Sequence, residues 1–147
     1  MLYECNVPRI PLSKEIKQVH NVIGLEQLRY GNRLEVNFSA SGDYHTKQVP
    51  PLVLLPFIEN AFKHGISKNL ENTFISIDLQ VKDNRLTFRV ENSKTDDDPY
   101  ADAGYTKGIG LKNVRRRLDL IYANRYDLQV FDEEDTFMIV LKIELDT

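Results

Sequence analysis

The sequence predicts an α+β fold, a two-layer α/β sandwich in which three helices cover one face of a mixed, mostly antiparallel sheet. Two observations predict it. Three segments carry apolar residues at helical spacing, and five segments alternate apolar with polar residues as half-buried strands do. Both kinds of segment share 147 residues, a length typical of one domain.

The composition narrows the classes of protein to which this chain can belong. With 41% hydrophobic and 28% charged residues, it has the profile of a globular domain with a core, which excludes a disordered chain. The single cysteine, Cys5, forms no internal disulfide and favours a reducing compartment. A net charge of −3 gives no general attraction to nucleic acid, so no nucleic-acid partner is expected.

Apolar stripes predict the three helices. The first covers about residues 14–30, and Ser13 is its candidate N-cap. The second lies within residues 51–65, where Pro56 either kinks the helix or marks its true start. The third covers about residues 108–123, where Gly108 opens an apolar periodicity.

Period-two alternation predicts the strands. Those at 73–82 and 85–91 flank Asp83 and Asn84, residue types that favour a hairpin turn. A polar stretch at residues 93–107 follows, and a loop of this length in a small domain suggests a function. The remaining strands are expected at 33–39, at about 126–132 and at about 136–145.

The first candidate site lies on the second helix, where Asn60 interrupts an apolar stripe. Asn60, Lys63 and His64 stand at i, i+3 and i+4, so they share one helix face. A buried amide that finds no partner costs about 1–3 kcal/mol. From these residues alone two interpretations stay open: a hydrogen-bonded core asparagine, or an asparagine that faces a metal ion or a phosphate.

Two further candidate sites lie at the ends of predicted elements. The run Gly108-Ile109-Gly110-Leu111 opens the third helix, where backbone N–H groups can approach an anion. A loop-to-helix turn with unusual backbone angles explains the same glycines. Asn92 ends a strand, where its amide either reads a base edge by hydrogen bonds or serves as a turn residue. Both pairs of interpretations stay open.

The third helix also carries a basic cluster, formed by Lys112, Arg115, Arg116 and Arg117. The cluster is either a solvated helix face or a surface that meets phosphate or a partner domain. The sequence leaves both interpretations open.

The order of these segments resembles the GHKL (Bergerat) ATP-binding fold of histidine kinases, type II topoisomerases, Hsp90-like chaperones and mismatch-repair ATPases. The similarity is closer to one subgroup, the catalytic, ATP-binding region of LytS/YehU-type bacterial sensor histidine kinases. It covers roughly residues 9–145. The segments that carry it read PLSKEIKQVHNVIGLEQLRYGNRL at 11–34, PFIENAFKHG at 56–65 and GIGLKNVRRRL at 108–118.

The resemblance implies a set of site residues. Asn60 falls on the N-box asparagine that helps hold Mg²⁺ at the nucleotide phosphates, and oxygen ligands suit that hard cation. Lys63 falls on the lysine that approaches phosphate, and His64 on a position that lines the site. Asn92 falls on the adenine-reading position. The glycine-rich box is implied at Gly108, Ile109, Gly110 and Leu111, after an ATP lid at 93–107, and Thr136 is implied to back the adenine contact.

The chain departs from the family pattern in two places. The family's adenine box is usually D-x-G-x-G, whereas residues 92–96 read NSKTD. Asn92 keeps an acceptor oxygen but loses the charge, so weakened nucleotide binding is expected. The phosphoacceptor motif H-F-x-F-N does not occur, and His20 lacks its context. We therefore expect a fragment, with residues 1–12 as linker or end of the phosphoacceptor-dimerisation helix and 13–147 as the catalytic domain.

The resemblance implies a domain of a two-component histidine kinase that uses ATP and Mg²⁺ to phosphorylate a histidine carried by another domain. The implied partners are the phosphoacceptor and dimerisation domain of the same kinase, in a full-length homodimer, and a response regulator. The implied location is cytoplasmic, with the parent protein anchored in the bacterial inner membrane. The chain alone is not expected to phosphorylate itself. The alternative is a degenerate GHKL interaction module that binds nucleotide weakly or not at all.

Overall fold

Three helices lie on one face of a five-stranded sheet in the part of the chain that the structure describes, as the sequence patterns predict. The structure is a computed structural model that describes residues 8–31, 34–65, 73–94 and 107–145, with the backbone alone at 64–65 and 107–110. The helices are α1 (Leu12–Tyr30), α2 (Leu55–Gly65) and α3 (Lys107–Ile121). The strands are β1 (Ile10–Pro11), β2 (Leu34–Gly42), β3 (Gln48–Val49), β4 (Thr73–Lys82), β5 (Arg85–Ser93), β6 (Tyr126–Asp132) and β7 (Thr136–Glu144).

The sheet is mixed and mostly antiparallel, which confirms the predicted fold class. Its order is β2-β4-β5-β7-β6, where β2 and β4 are parallel and all other neighbours are antiparallel. In this register Asn92 of β5 lies between Ile75 of β4 and Phe137 of β7. The short strands β1 and β3 form a separate antiparallel ribbon. The register therefore brings the end of β5 beside the beginnings of β4 and β7.

The core lies between the helices and one face of the sheet, which we call the inner face; the opposite face is the outer face. Strand side chains alternate between the two faces, and those of β4, β5 and β7 that point inward are buried. α2 packs on β4 and β5, and the rings of Phe57 and Phe88 meet edge to face with centroids 6.2 Å apart. Asn92 continues the inward row of Phe88 and Val90, and only 1% of it is exposed.

β2 is longer than its alternation predicted, and it ends at Gly42. The parallel pairing with β4 carries it that far, because Gly42 lies opposite Val81. Gly42 has φ +91°, and a Cβ at this position would lie 1.9 Å from the Val81 carbonyl oxygen. Only glycine fits this close approach of the two backbones.

The start of α1 differs from the sequence prediction. The start of α2 decides between the two predicted roles of Pro56. The prediction that Ser13 caps α1 is wrong: the helix begins at Leu12, and Pro11, with its fixed φ, occupies the cap position. α2 begins at Leu55, so Pro56 marks the start of the helix and does not kink it. Within the described ranges, no helix is both long and apolar enough to cross a membrane.

Candidate functional site

Asn60 lies on the middle turn of α2 with its side-chain oxygen turned away from solvent. The Oδ1 atom is buried, and no atom of the described residues donates a hydrogen bond to it. An orphaned buried acceptor costs about 1–3 kcal/mol, which works against the interpretation of a hydrogen-bonded core asparagine. The arrangement fits a residue whose partner is not among the described residues.

The structure describes the other residues that were predicted to lie near phosphate in differing detail. Lys63 is exposed, three residues beyond Asn60 on α2. The side chain of His64 lies outside the description. Gly108, Ile109 and Gly110 fall in the first turn of α3 on the evidence of the backbone, and the next residue, Leu111, is buried. The middle of the predicted lid, residues 95–106, is not among the described residues.

A buried carboxylate of α1 holds the turn that leads into α2. Glu15 is fully buried, and its oxygens accept N–H bonds from Leu52 at 3.1 Å, Val53 at 2.7 Å and Leu54 at 3.1 Å. Leu52 has φ +63°, a left-handed angle that directs successive N–H groups toward one anion. The carboxylate of Glu15 fills this anion site and so fixes where α2 begins.

Arg117 of α3 holds the same turn by its carbonyl groups. Its Nη1 donates to the Leu52 carbonyl at 2.9 Å, and its Nη2 donates to the Pro51 carbonyl at 2.6 Å. The turn is therefore bound through its N–H groups to α1 and through its carbonyl groups to α3. Arg115 of the basic cluster likewise donates to the Leu128 carbonyl at 3.2 Å. The cluster is thus partly structural, whereas Lys112 and Arg116 are exposed.

Arg117→Ala is expected to lower the free energy of unfolding by about 1–2 kcal/mol, because two charge-assisted bonds to the turn are lost. Urea unfolding measures the change. Arg116→Ala is the matched control, since the neighbouring arginine is exposed, and its effect is expected within about 0.5 kcal/mol of zero. Equal effects of the two variants would contradict a structural role for Arg117.

The carboxyl end of β5 forms a corner that we call the Asn92 corner, made of Asn92, Ser93 and Lys94. The Nδ2 atom of Asn92 donates to the Ser93 carbonyl at 2.9 Å. Ser93 Oγ accepts the Phe74 N–H at 3.1 Å and donates to the Phe74 carbonyl at 3.4 Å. Lys94 Nζ binds the Asp132 carboxylate at 2.5 Å. Lys94 stands where the family pattern has its first glycine, and here it is part of a hydrogen-bonded corner.

Thr136, which the resemblance implies to back the adenine contact, lies at the start of β7. It pairs with Ser93, whereas Asn92 pairs with Phe137. Because neighbouring residues of a strand point to opposite faces, Thr136 belongs to the outer face and Asn92 to the inner face. Phe137 is therefore the β7 residue beside Asn92, and the role of Thr136 stays a prediction.

Tyr126 of β6 fastens α3 to the sheet edge. Its hydroxyl donates to the Asp119 carboxylate at 2.5 Å. Burial, followed by the hydrogen bond and the negative charge of Asp119, raises the pKa of Tyr126 from 10.0 to about 12. The phenol therefore keeps its proton, and the contact, at neutral pH.

The structure brings the two asparagines of the predicted site to one interface. α2 packs on β5, and Asn92 lies on the inner face of β5, so both residues belong to the boundary between helices and sheet.

Sequence reasoning missed Glu15, although the signal was present. Glu15 stands four residues before Val19 in the apolar stripe of α1, as Asn60 interrupts the stripe of α2.

Comparison with known proteins finds sensor histidine kinases among the relatives of this chain. No protein-family model matches the sequence. The chain is 28% identical over 128 residues to sensor histidine kinase BtsS of Escherichia coli K12, covering 87% of this chain and 22% of BtsS. It is 32% identical over 109 residues to sensor protein LytS of Enterococcus faecalis, covering 74% of this chain and 16% of LytS. The chain is a homologue of the LytS/BtsS-type sensor histidine kinases.

Solved structures agree with this homology at the level of fold. The nucleotide-free catalytic domain of histidine kinase ThkA matches with a TM-score of 0.65 at 16% identity, over 93% of this chain and 94% of that domain. Full-length ShkA in complex with AMPPNP matches with 0.66 at 16% identity, over 97% of this chain and 32% of ShkA. ThkA in complex with the response regulator TrrA matches with 0.61 at 18% identity, over 95% and 42%.

In length and fold the chain is comparable to a single domain of a sensor kinase. It spans about a fifth or less of the length of the curated relatives, and it matches the isolated ThkA catalytic domain almost end to end. The chain therefore has the fold of histidine kinase catalytic domains. The alternative of a degenerate interaction module is not favoured.

Proposed function

We propose that this domain binds ATP with Mg²⁺ and transfers the γ-phosphate to a histidine carried by another domain. The observation that supports it most directly is Asn60, whose buried Oδ1 receives no hydrogen bond from the described residues. The homology to BtsS and LytS supports a kinase. The likeness to ShkA, which was solved in complex with AMPPNP, supports an adenine nucleotide as the ligand.

The residues present fit a magnesium ion. A carboxamide oxygen is a hard ligand, and Mg²⁺ in nucleotide sites takes only one or two protein ligands beside phosphates and water. Asn60 is therefore proposed to hold the ion through Oδ1. When bound, the ion offsets the negative charge that the phosphates carry during transfer.

The remaining residues are proposed to position the nucleotide. Lys63 meets phosphate oxygens as a cation, and His64 lines the site beside it. The N–H groups in the first turn of α3, from Gly108 to Leu111, receive phosphate oxygens, since a helix N-terminus favours negative charge. Asn92 accepts a hydrogen bond from the adenine amino group. The role of Thr136 beside the adenine stays a prediction of the resemblance, with its side chain on the outer face of the sheet.

The proposed transfer is a displacement at phosphorus. An imidazole nitrogen of the acceptor domain attacks the γ-phosphorus, the bond to the β–γ bridging oxygen breaks, and ADP leaves. The protein contributes position and charge and forms no covalent bond of its own. We propose that the acceptor is the phosphoacceptor and dimerisation domain of a homodimeric parent kinase.

The location and the downstream partner of the parent protein are proposed from its relatives and structural neighbours. The parent is proposed to be anchored in the bacterial inner membrane with this domain on the cytoplasmic side. Its phosphohistidine is proposed to serve a response regulator, the class of protein with which ThkA was solved in complex.

Radiolabelled transfer tests the proposal. With [γ-³²P]ATP and Mg²⁺ the domain alone is expected to take up no label, whereas the parent's phosphoacceptor domain added to it is expected to gain acid-labile phosphate. Lys17→Ala, an exposed lysine on α1 far from the proposed phosphate residues in sequence, serves as a control that retains transfer. Stoichiometric label on the domain alone, or none on the acceptor at saturating ATP, would contradict the proposal.

A further inference from the structure

The residue at the base-reading position of this chain is an amide, and an amide is ambiguous. A carboxylate offers acceptors in every orientation, whereas the carboxamide of Asn92 offers an acceptor on one side and a donor on the other. An unconstrained asparagine turns either atom toward a base and so reads an amino or a keto group. Base selection by Asn92 therefore requires that something fix the amide.

The Ser93 carbonyl fixes it. Asn92 is 1% exposed, and its Nδ2 donates to that carbonyl at 2.9 Å. The opposite orientation would place Oδ1 against the carbonyl oxygen, and two acceptors at that distance repel. The amide is thus held with its donor engaged by the chain and its oxygen left as the acceptor.

The hydroxyl of Ser93 bonds the backbone of β4 next to this carbonyl. The pairing of β4 with β5 ends at Ile75 and Asn92. One residue beyond, Phe74 binds the Ser93 side chain, because Oγ accepts the Phe74 N–H at 3.1 Å and donates to its carbonyl at 3.4 Å. The serine side chain therefore bonds both backbone groups of Phe74.

Lys94 fixes the direction of that carbonyl. The Ser93 carbonyl and the Lys94 N–H belong to one planar trans peptide, so they point in opposite directions. The Lys94 N–H donates to the Asp135 carbonyl at 2.8 Å. Lys94 Nζ also binds the Asp132 carboxylate at 2.5 Å and the Glu133 carbonyl at 2.8 Å. These bonds tie the peptide to the β6–β7 turn.

We propose that Ser93 and Lys94 are positioning residues that hold the Asn92 oxygen toward the nucleotide base, so that the site selects a purine with a 6-amino group over a 6-keto purine. This inference rests on the proposed function. Adenine offers an N–H donor to the Asn92 oxygen. Hypoxanthine and guanine present an acceptor oxygen at the same place, and neither acceptor then has a partner.

Calorimetric titration of the domain with Mg²⁺ and either ATP or ITP tests the inference, because these nucleotides differ at position 6. Wild type is expected to bind ATP about tenfold or more tightly than ITP. Asn92→Ala is expected to bring the ratio to about one. Ser93→Ala and Lys94→Met are expected to reduce it to about threefold or less by releasing the amide. Lys94→Arg is expected to restore the wild-type ratio.

Ser76→Ala is the matched control. It removes a serine hydroxyl from the outer face of β4, two residues from Phe74, and leaves the Asn92 corner intact. Its ATP-to-ITP ratio is expected to equal that of wild type. A purely structural effect of Ser93→Ala would weaken both nucleotides equally and leave the ratio unchanged.

A comparison on wild type alone covers the case in which a variant does not fold. Purine riboside triphosphate, which has neither group at position 6, is expected to bind between ATP and ITP. A wild-type ratio near one, or a preference for ATP that survives in Asn92→Ala, would overturn the inference and leave the kinase proposal standing. No binding of either nucleotide at millimolar concentration would overturn both.

Discussion

Asn60→Ala is expected to abolish Mg²⁺-dependent ATP binding without destabilising the free domain. The substitution removes an acceptor that has no partner in the described residues, so no hydrogen bond to it is lost. A ligand at 100 times its Kd raises the free energy of unfolding by about 2.7 kcal/mol. Wild type should show this gain with MgATP in urea unfolding, and Asn60→Ala should show none.

The control for this prediction is Asn37→Ala, which removes an exposed asparagine from the outer face of β2. It is expected to keep the full stabilisation by MgATP. Asn60 would be a structural residue if Asn60→Ala destabilised the free domain by more than about 2 kcal/mol and retained the stabilisation by nucleotide.

Glu15→Ala is expected to cause the largest loss of stability, about 3 kcal/mol or more. Three N–H groups of the turn before α2 lose their acceptor, and each unsatisfied buried donor costs about 1–3 kcal/mol. The left-handed Leu52 also loses the anion that holds it. Urea unfolding measures the effect as a lower midpoint at constant slope.

Glu26→Ala is the matched control on the same helix, since Glu26 is a half-buried glutamate of α1. Its effect should stay within about 1 kcal/mol. If the two variants differed by less than about 0.5 kcal/mol, Glu15 would not be the residue that fixes the start of α2. If the Glu15→Ala domain stayed folded and kept its ATP affinity, the turn before α2 would not influence the nucleotide site.

Most of the fold was predictable because its signals are local. The strand at 73–82 alternates in burial, and the observed bounds of the strands at 73–82 and 126–132 equal the predicted ones. The start of α1 was mispredicted because Ser13 is a good capping residue by type, whereas Pro11 fixes the backbone one residue earlier. The extension of β2 to Gly42 depends on pairing with β4, a contact that no local pattern contains.

The candidate site was predicted from residue types and stays a prediction, whereas the faces of its strand residues follow from the register. Asn60 was singled out because a polar residue interrupts an apolar stripe there. Its buried oxygen has no partner among the described residues, which favours an asparagine that faces a metal ion or a phosphate. Thr136 was assigned from the resemblance, but its face depends on which β5 residue it pairs with. The role of Lys94 depends on Asp132, which lies on another strand. Such pairings arise only when the sheet is assembled.

The central claim is that Asn60 and Asn92 contact one ATP molecule, and NMR of the asparagine side-chain amides tests it most directly. On titration with Mg²⁺ and AMPPNP, the Asn60 and Asn92 amide signals are expected to shift with one common midpoint. Asn37 on the outer face and Asn84 at the β4–β5 hairpin should not shift. Two unrelated midpoints, or no shift of either signal at millimolar nucleotide, would contradict the account.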